Sequence, residues 1–218
     1  MGALIRVAFA FGRFNGPTCE HEKLLDLVNA YNRRKRYVFV SGPLSTDNTD
    51  QRNPLTVYEK LGILAHLYPN IDLRPACGKT ARPDGALSFV YRNETRTYEF
   101  VDLAVIAGDG DAGVEGDDGG SASEYRSLLL RLNNTKYPIR NTVEGTTIGG
   151  DYRMNYRDVE IVANPRGNVS GTALRTAIRQ GAGLQELKPM FHSRMTDLQI
   201  ENVVRLIRER SKAWTTLK

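Results

Sequence analysis

The sequence predicts an α/β fold, a parallel β-sheet covered by helices on both faces, and three observations carry that expectation. Short runs rich in β-branched and aromatic residues alternate with longer stretches of helical periodicity along nearly the whole chain. The runs LIRVAFAF and VDLAVIAG are almost continuously apolar, as strands buried on both faces are. Glycine, proline and capping residues mark the transitions between the two kinds of segment.

LIRVAFAF at 4–11 is expected as the first strand, followed by the turn GRFNGPT and a helix over 20–32 striped by Leu24, Leu25, Leu27 and Val28. YVFVSG at 37–42 follows as a strand, then the polar loop PLSTDNTDQRN. A helix over 54–67 is predicted next, with Asn53 as cap and Pro54 at its first position. IDLRPA at 71–76 reads as a third strand. Within 79–98, DGALSFVYRN is expected as a crossover helix, with TRTYEF after it as a strand by its alternation. VDLAVIAG at 101–108 is a buried strand and SEYRSLLLRLN at 123–133 a helix. Between them DGDAGVEGDDGG prescribes a surface loop; it opens like a calcium loop but lacks the later ligands, so no metal site is assigned. Residues 134–158 hold turn signals and little periodicity. VEIVAN at 159–164 is a further strand, and the next helix has Ser170 as N-cap and Gly181 as stop. A last helix over 197–214 should turn Leu198, Val203, Leu206 and Ile207 to one side, with Trp214 packing it down. Residues 1–190 are read as one domain and 191–218 as a C-terminal helical extension packed on it.

Composition narrows the function. With 218 residues, 40% hydrophobic and 25% charged, the chain fits one compact core and is neither disordered nor fibrous. No apolar run reaches the ~20 residues of a membrane helix, and the start has no signal-peptide pattern, so a soluble, cytoplasmic protein without a membrane partner is expected. Cys19 and Cys77 stand apart and are expected as reduced thiols. Lys and Arg number 30 against 25 Asp and Glu, a net charge of +5 that suits a phosphate-bearing small substrate. The densest basic runs, Arg33 to Arg36 and Arg205 to Lys212, follow helical patterns, and a nucleic-acid role is the less favoured reading. Oligomeric state is not legible; a homo-oligomer is compatible with everything in the chain.

Two segments carry the chemistry. After the first strand, Gly12-Arg13-Phe14-Asn15-Gly16-Pro17-Thr18-Cys19-Glu20-His21 delivers a hydroxyl and an imidazole to a helix N-terminus, where unpaired amides and the dipole attract anions. Neither G-x-x-x-x-G-K-[ST] nor G-x-G-x-x-G is present. Near the other end, Val169-Ser170-Gly171-Thr172-Ala173-Leu174-Arg175 puts two hydroxyls in the first turn of a helix and a guanidinium one turn on, a set able to grip a polyphosphate.

The first segment resembles the G-x-F-x-P-x-[HT]-x-G-H signature of the nucleotidylyltransferase superfamily related to class I aminoacyl-tRNA synthetases, through Gly12, Phe14, Thr18 and His21. The second is similar to the family's [IV]-S-[SGT]-T-x-[ILV]-R. Between them, Asn53-Pro54-Leu55-Thr56-Val57-Tyr58-Glu59-Lys60 resembles a segment of archaeal-type nicotinamide-mononucleotide adenylyltransferases and of related phage-encoded enzymes, which would work in the host cytoplasm. Gly16 stands where the family has Pro, and Glu20 where it has the glycine that lets the base approach the helix, which leaves room for reduced or altered nucleotide use.

The resemblance implies a Rossmann-like sheet of nucleotidylyltransferase type and transfer of a nucleoside monophosphate, AMP favoured, from a nucleoside triphosphate to a phosphorylated small-molecule acceptor, with Mg²⁺. It implies Thr18, His21 and Arg175 as catalytic residues and Gly12, Phe14, Asn15, Ser170, Gly171, Thr172, Lys60 and Asp109 as nucleotide-binding. Arg13 and Arg52 are the candidates for the acceptor's phosphate; Lys23 is a secondary candidate. His66 and His192 are read as ordinary residues. A cytidylyltransferase acting on a phospho-sugar or phospho-alcohol, and a non-catalytic binding protein on the same fold, remain the alternatives.

Overall fold

The structure, a computed structural model, describes residues 2–31, 35–109, 121–132, 154–165, 167 and 169–216. Among the described residues five strands, β1 (Leu4–Gly12), β2 (Lys35–Ser41), β3 (Asp72–Ala76), β4 (Phe100–Asp109) and β5 (Asp158–Pro165), form a sheet in the order β3-β2-β1-β4-β5, each of these pairings parallel. Among the described residues seven α-helices accompany them: α1 (Cys19–Ala30), α2 (Val57–Leu67), α3 (Pro83–Glu94), α4 (Ala122–Leu132), α5 (Gly171–Arg179), α6 (Leu184–Leu187) and α7 (Asp197–Thr216). The predicted Rossmann-like α/β class is the one observed. The loop residues 110–120 and the segment 133–153, for which a surface loop and turns were expected, lie outside the described residues, as do Arg33 and Arg34.

Side chains along a strand alternate between faces, so a strand covered on both sides must be apolar throughout. Ala8 and Ala10 of β1, Val38 and Val40 of β2, and Ala104 and Ile106 of β4 pack under α1, α2, α5 and α7. Val7, Phe9, Tyr37, Phe39, Leu103 and Val105 pack on the other face against α3 and α4. Phe9 and Phe39 meet there with ring centroids 5.8 Å apart. Each such large apolar side chain contributes ~2 kcal/mol by leaving water.

Three expectations are corrected. The second helix starts at Val57, not Pro54, because Thr56 and Glu59 form a reciprocal cap: Thr56 Oγ1 accepts from the Glu59 amide at 3.3 Å and the Glu59 carboxylate from the Thr56 amide at 2.8 Å. Asn53 is used elsewhere. TRTYEF is not a separate strand; the amides of Thr97 and Tyr98 turn back onto the Glu94 carbonyl that ends α3, and its last residue, Phe100, begins β4. In α7 the buried residues are Ile200, Val203, Val204 and Ile207, one face at helical spacing, with Leu206 half-buried beside them and Leu198 exposed. This face covers Leu174 and Ile178 of α5. Of Trp214 only the backbone, within α7, is described.

The strand order reverses direction between β1 and β4, and in open parallel sheets ligands lie at the carboxyl ends of the strands beside such a reversal. α1 leaves β1 there, and α5 follows β5, the strand beyond β4. Both helices pack on the same face, so the topology aims their N-termini at the same place.

Candidate functional site

The turn after β1 is shaped by close approaches. A Cβ on Gly12 would press against the Phe14 ring at 3.0 Å, and Phe14 itself takes a positive φ of 47°, a strained conformation held by its burial. Gly16 has φ 71°, and a Cβ there would lie 3.0 Å from Leu174 Cδ2 of α5. Proline, locked at negative φ, cannot take that conformation. The turn ends in Thr18, which caps α1. Thr18 Oγ1 accepts from the His21 amide at 3.3 Å, while His21 Nδ1 accepts from the Thr18 amide at 3.1 Å and lies 3.0 Å from Thr18 Oγ1. With Nδ1 used as an acceptor, the proton of the neutral ring resides on Nε2. Phe14 backs the imidazole, ring centroids 5.1 Å apart. Gly12 and Phe14 thus shape the site by packing.

On α5, Ser170 is the cap, its Oγ accepting from the Ala173 amide at 3.0 Å. Arg175 is buried and donates to Thr172 Oγ1 at 3.1 Å. The two helix starts do meet. A Cβ on Gly171 would lie 3.1 Å from Arg175 Nη1, 3.7 Å from the Asn15 carbonyl oxygen and 4.0 Å from His21 Cε1. Two helix dipoles, each equivalent to about half a positive charge, and one guanidinium therefore face a common gap. Thr18, His21, Asn15, Ser170, Gly171, Thr172 and Arg175 are brought together from segments some 150 residues apart in sequence.

Glu20, the residue that replaces a glycine of the resembled signature, is half-buried. Its Oε2 accepts from the Gly167 amide at 3.0 Å and its Oε1 from Lys23 Nζ at 2.9 Å. Lys23 is thereby engaged with Glu20. Asn15 is buried, and its Nδ2 donates to the Arg52 carbonyl at 2.7 Å and to Asn53 Oδ1 at 2.9 Å. That docks the β2–α2 loop on the turn after β1, and Asp50, accepting from the Arg52 and Asn53 amides, fixes the loop's own bend. Arg179 adds a bond to the Gln51 carbonyl, and Arg210 clasps Glu59 through both guanidinium nitrogens at 2.9 and 2.7 Å. The Arg52 side chain is exposed and Arg13 is half-buried. Lys60 is fully enclosed; its Nζ donates to the Ser41 carbonyl at 2.7 Å and lies where a Cβ on Gly42 would be, so it sits beneath this loop and not toward solvent. Asp109 ends β4 opposite Pro165; its side chain is outside the described residues.

His192, expected as an ordinary residue, instead centres a buried network behind Thr18. The His192 amide donates to the Pro17 carbonyl at 2.9 Å, and Phe191 pairs with Thr18 as an isolated antiparallel bridge. His192 Nδ1 accepts from the Arg194 amide at 3.2 Å, so Nε2 donates to Tyr68 Oη at 2.8 Å, which donates onward to Asp26 at 2.8 Å. Ser193 gives both its amide and its hydroxyl to Glu22, and Arg194 pairs with Asp26 at 2.6 Å. His192 and Tyr68 lie 124 residues apart and Ser193 and Glu22 171, and no local pattern announces them.

The network sets a pH dependence of stability. Burial pushes the His192 imidazole below its ordinary value of 6.5, against the pull of Glu22. Burial raises the Glu22 carboxyl, but the bonds from Ser193, with His192 and Arg194 nearby, outweigh it and hold Glu22 below 4.5. A depressed histidine costs nothing above 6.5, where both folded and unfolded chains are neutral. As pH falls below 6.5 the unfolded chain binds a proton that the folded one refuses. Urea unfolding between about pH 8 and pH 5 should show stability falling by up to about 1.4 kcal/mol per pH unit below that point. His192→Gln should flatten this window, while the acid loss below 4.5 persists as Glu22, and Glu59 beneath Arg210, are protonated.

Among the described residues no three His, Cys, Asp or Glu side chains form a metal-binding group, and no helix is long and apolar enough to cross a membrane.

No protein-family model matches the chain, and no curated protein matches it. Among solved structures it is similar to Plasmodium falciparum nicotinic acid mononucleotide adenylyltransferase complexed with APC, with a TM-score of 0.55 and 12% sequence identity. The match covers 92% of this chain and 95% of that one. At this identity the likeness establishes the fold alone: the chain has a Rossmann-like architecture similar to that of this structure.

Proposed function

We propose that the chain is a nucleotidyltransferase, moving a nucleoside monophosphate, AMP in the favoured form, from a nucleoside triphosphate to a phosphorylated small-molecule acceptor. The observation that carries this reading is the approach of the two capped helix starts, with Arg175 Nη1 and His21 Cε1 both within 4.0 Å of a Cβ placed on Gly171. The fold shared with an adenylyltransferase supports it, and so do the two signatures, which fall on the two helix starts.

In the proposed reaction an oxygen of the acceptor's phosphate forms a bond to the α-phosphorus while the bond from that phosphorus to the bridging oxygen breaks. The electron pair leaves on pyrophosphate. Thr18 and His21 Nε2–H are assigned to the α and β phosphates, Ser170, Gly171 and Thr172 to the β and γ oxygens, and Arg175 to the departing charge. Catalysis is then alignment and charge stabilisation by groups already in place. Mg²⁺ on the triphosphate would supply the remaining neutralisation. Arg13 and the exposed Arg52 are assigned to the acceptor's phosphate, and Asn15 positions Arg52 by holding its carbonyl. Lys60 supports the loop from below, and Asp109 stays a nucleotide-side candidate.

A second reading, a non-catalytic binding protein, draws on Glu20, a carboxylate in the first turn of a helix proposed to hold phosphate. One assay separates the two: each labelled nucleoside triphosphate is incubated with Mg²⁺ and a panel of phosphorylated acceptors. Pyrophosphate release that depends on one acceptor is the expected result, with ATP turned over fastest. Binding without release under every pairing would favour the second reading, and fastest turnover of CTP would move the enzyme to the cytidylyl class.

A further inference from the structure

Glu20 does more at the gap than occupy space. Its carboxylate reaches from the first turn of α1 to the backbone of residue 167, three residues before the cap of α5, and takes the Gly167 amide at 3.0 Å. The approach is so close that a Cβ on Gly167 would fall 1.8 Å from Glu20 Oε1. The other side of the same carboxylate is held by Lys23 at 2.9 Å, and the glutamate side chain is only 17% exposed. Glu20 therefore forms a strap from one helix start to the connection that leads into the other. It ties the helix start that carries Thr18 and His21 to the residues that lead into Ser170 and Arg175.

We propose that Glu20 is a specificity-determining residue of this gap: the Glu20–Gly167 strap admits a bare polyphosphate but must open to admit a triphosphate carrying a nucleoside on the strap's side. This rests on the phosphate-binding reading given above. A polyphosphate chain is narrow and needs only the helix amides, the hydroxyls and Arg175. A ribose and base attached to it need room that the strap takes, and opening it breaks one hydrogen bond from the Gly167 amide to a carboxylate, a charge-assisted bond. The strap thus sets the ratio of affinities for the two ligand types, whereas the charge of Glu20 alone would weaken both together.

Titration of inorganic tripolyphosphate and of ATP into the full chain, with calorimetric detection, tests this with three variants. Glu20→Gly removes the strap and the charge. Glu20→Gln removes the charge but keeps an oxygen that can accept from the Gly167 amide. Gly167→Ala keeps the charge and displaces the carboxylate. Expected is a gain in ATP affinity relative to tripolyphosphate of about tenfold in Glu20→Gly and in Gly167→Ala, the size of one such bond. In Glu20→Gln, which keeps a neutral bond of about half the strength, the ratio should rise by only about threefold. An unchanged ratio in Glu20→Gly, or the same change in Glu20→Gln as in Glu20→Gly, overturns the strap and points to charge alone. Should tripolyphosphate bind to none of the four proteins, the phosphate-binding reading itself fails and the strap's role with it. Hydrogen exchange at the Gly167 amide, protected in the parent and in Glu20→Gln but not in Glu20→Gly, reads the strap without any ligand. Fast exchange in the parent would overturn it.

Discussion

Arg175→Ala is expected to lower the rate of pyrophosphate release by about 10²–10³-fold, the effect of removing one preorganised charge-stabilising donor. The expectation follows from place as much as charge. Arg175 is buried at 9% exposure, its guanidinium held at 3.1 Å on Thr172 Oγ1 beside the backbone of Gly171, and it borders the same gap as His21. Negative charge accumulates on the leaving pyrophosphate only as the bond to the α-phosphorus breaks, so the loss should fall on kcat more than on KM. Arg175→Lys should recover little, because an ammonium offers no planar fork with which to keep Thr172 and meet phosphate oxygens together. Thr172→Val is the control for orientation and should cost less than Arg175→Ala. Circular dichroism and thermal melting of each variant separate lost chemistry from lost folding. Turnover of Arg175→Ala within about threefold of the parent would remove Arg175 from the leaving-group role.

The strands and helices were legible in the sequence because each depends on local pattern: unbroken apolar runs for the doubly covered strands, the Ser170 cap and the Gly181 stop for α5, where Gly181 does take φ 89°. What escaped was decided by competition. Asn53-Pro54 is a sound helix start in isolation, but Thr56 with Glu59 makes the better cap, and Asn53 serves the loop instead by accepting from Asn15. The residues proposed to hold phosphate could be named from their two segments, because each segment resembles a family signature at a strand-to-helix transition. Their meeting could not be derived locally; it follows from β1 and β5 flanking β4, with α1 and α5 on one face. Long-range polar partners left no trace. Glu20 reaches Gly167 across 147 positions, and His192 reaches Tyr68 across 124. The basic run from Arg205 to Lys212 shows the same limit. Arg205 pairs with Glu209 within α7, while Arg208, donating to the carbonyls of Ile178 and Ala182, and Arg210, holding Glu59, tie α7 to α5 and α2.

Leu174→Ala should destabilise the chain by about 2–5 kcal/mol, the range for truncating a leucine in a core that closes incompletely around the cavity. Leu174 has no exposed surface, and it stands between Gly16 of the turn before α1 and the α7 residues that cover α5. It is also the neighbour of Arg175, so its packing fixes how far the two helix starts lie apart. Its contact with Gly16 can be isolated. In the parent chain Gly16→Ala meets two obstacles, a positive φ of 71° that disfavours any side chain and a methyl group 3.0 Å from Leu174 Cδ2. In the Leu174→Ala background only the first remains, at about 1 kcal/mol. The double variant should therefore be more stable than the sum of the single losses predicts, by about 1 kcal/mol, in urea unfolding at neutral pH. Strict additivity would mean that the turn and α5 do not press on one another, and then the spacing of His21 and Arg175 must be set elsewhere. If they do press, Leu174→Ala should also lower turnover at temperatures where the variant is still folded, because the two groups would lose the fixed separation on which in-line transfer depends.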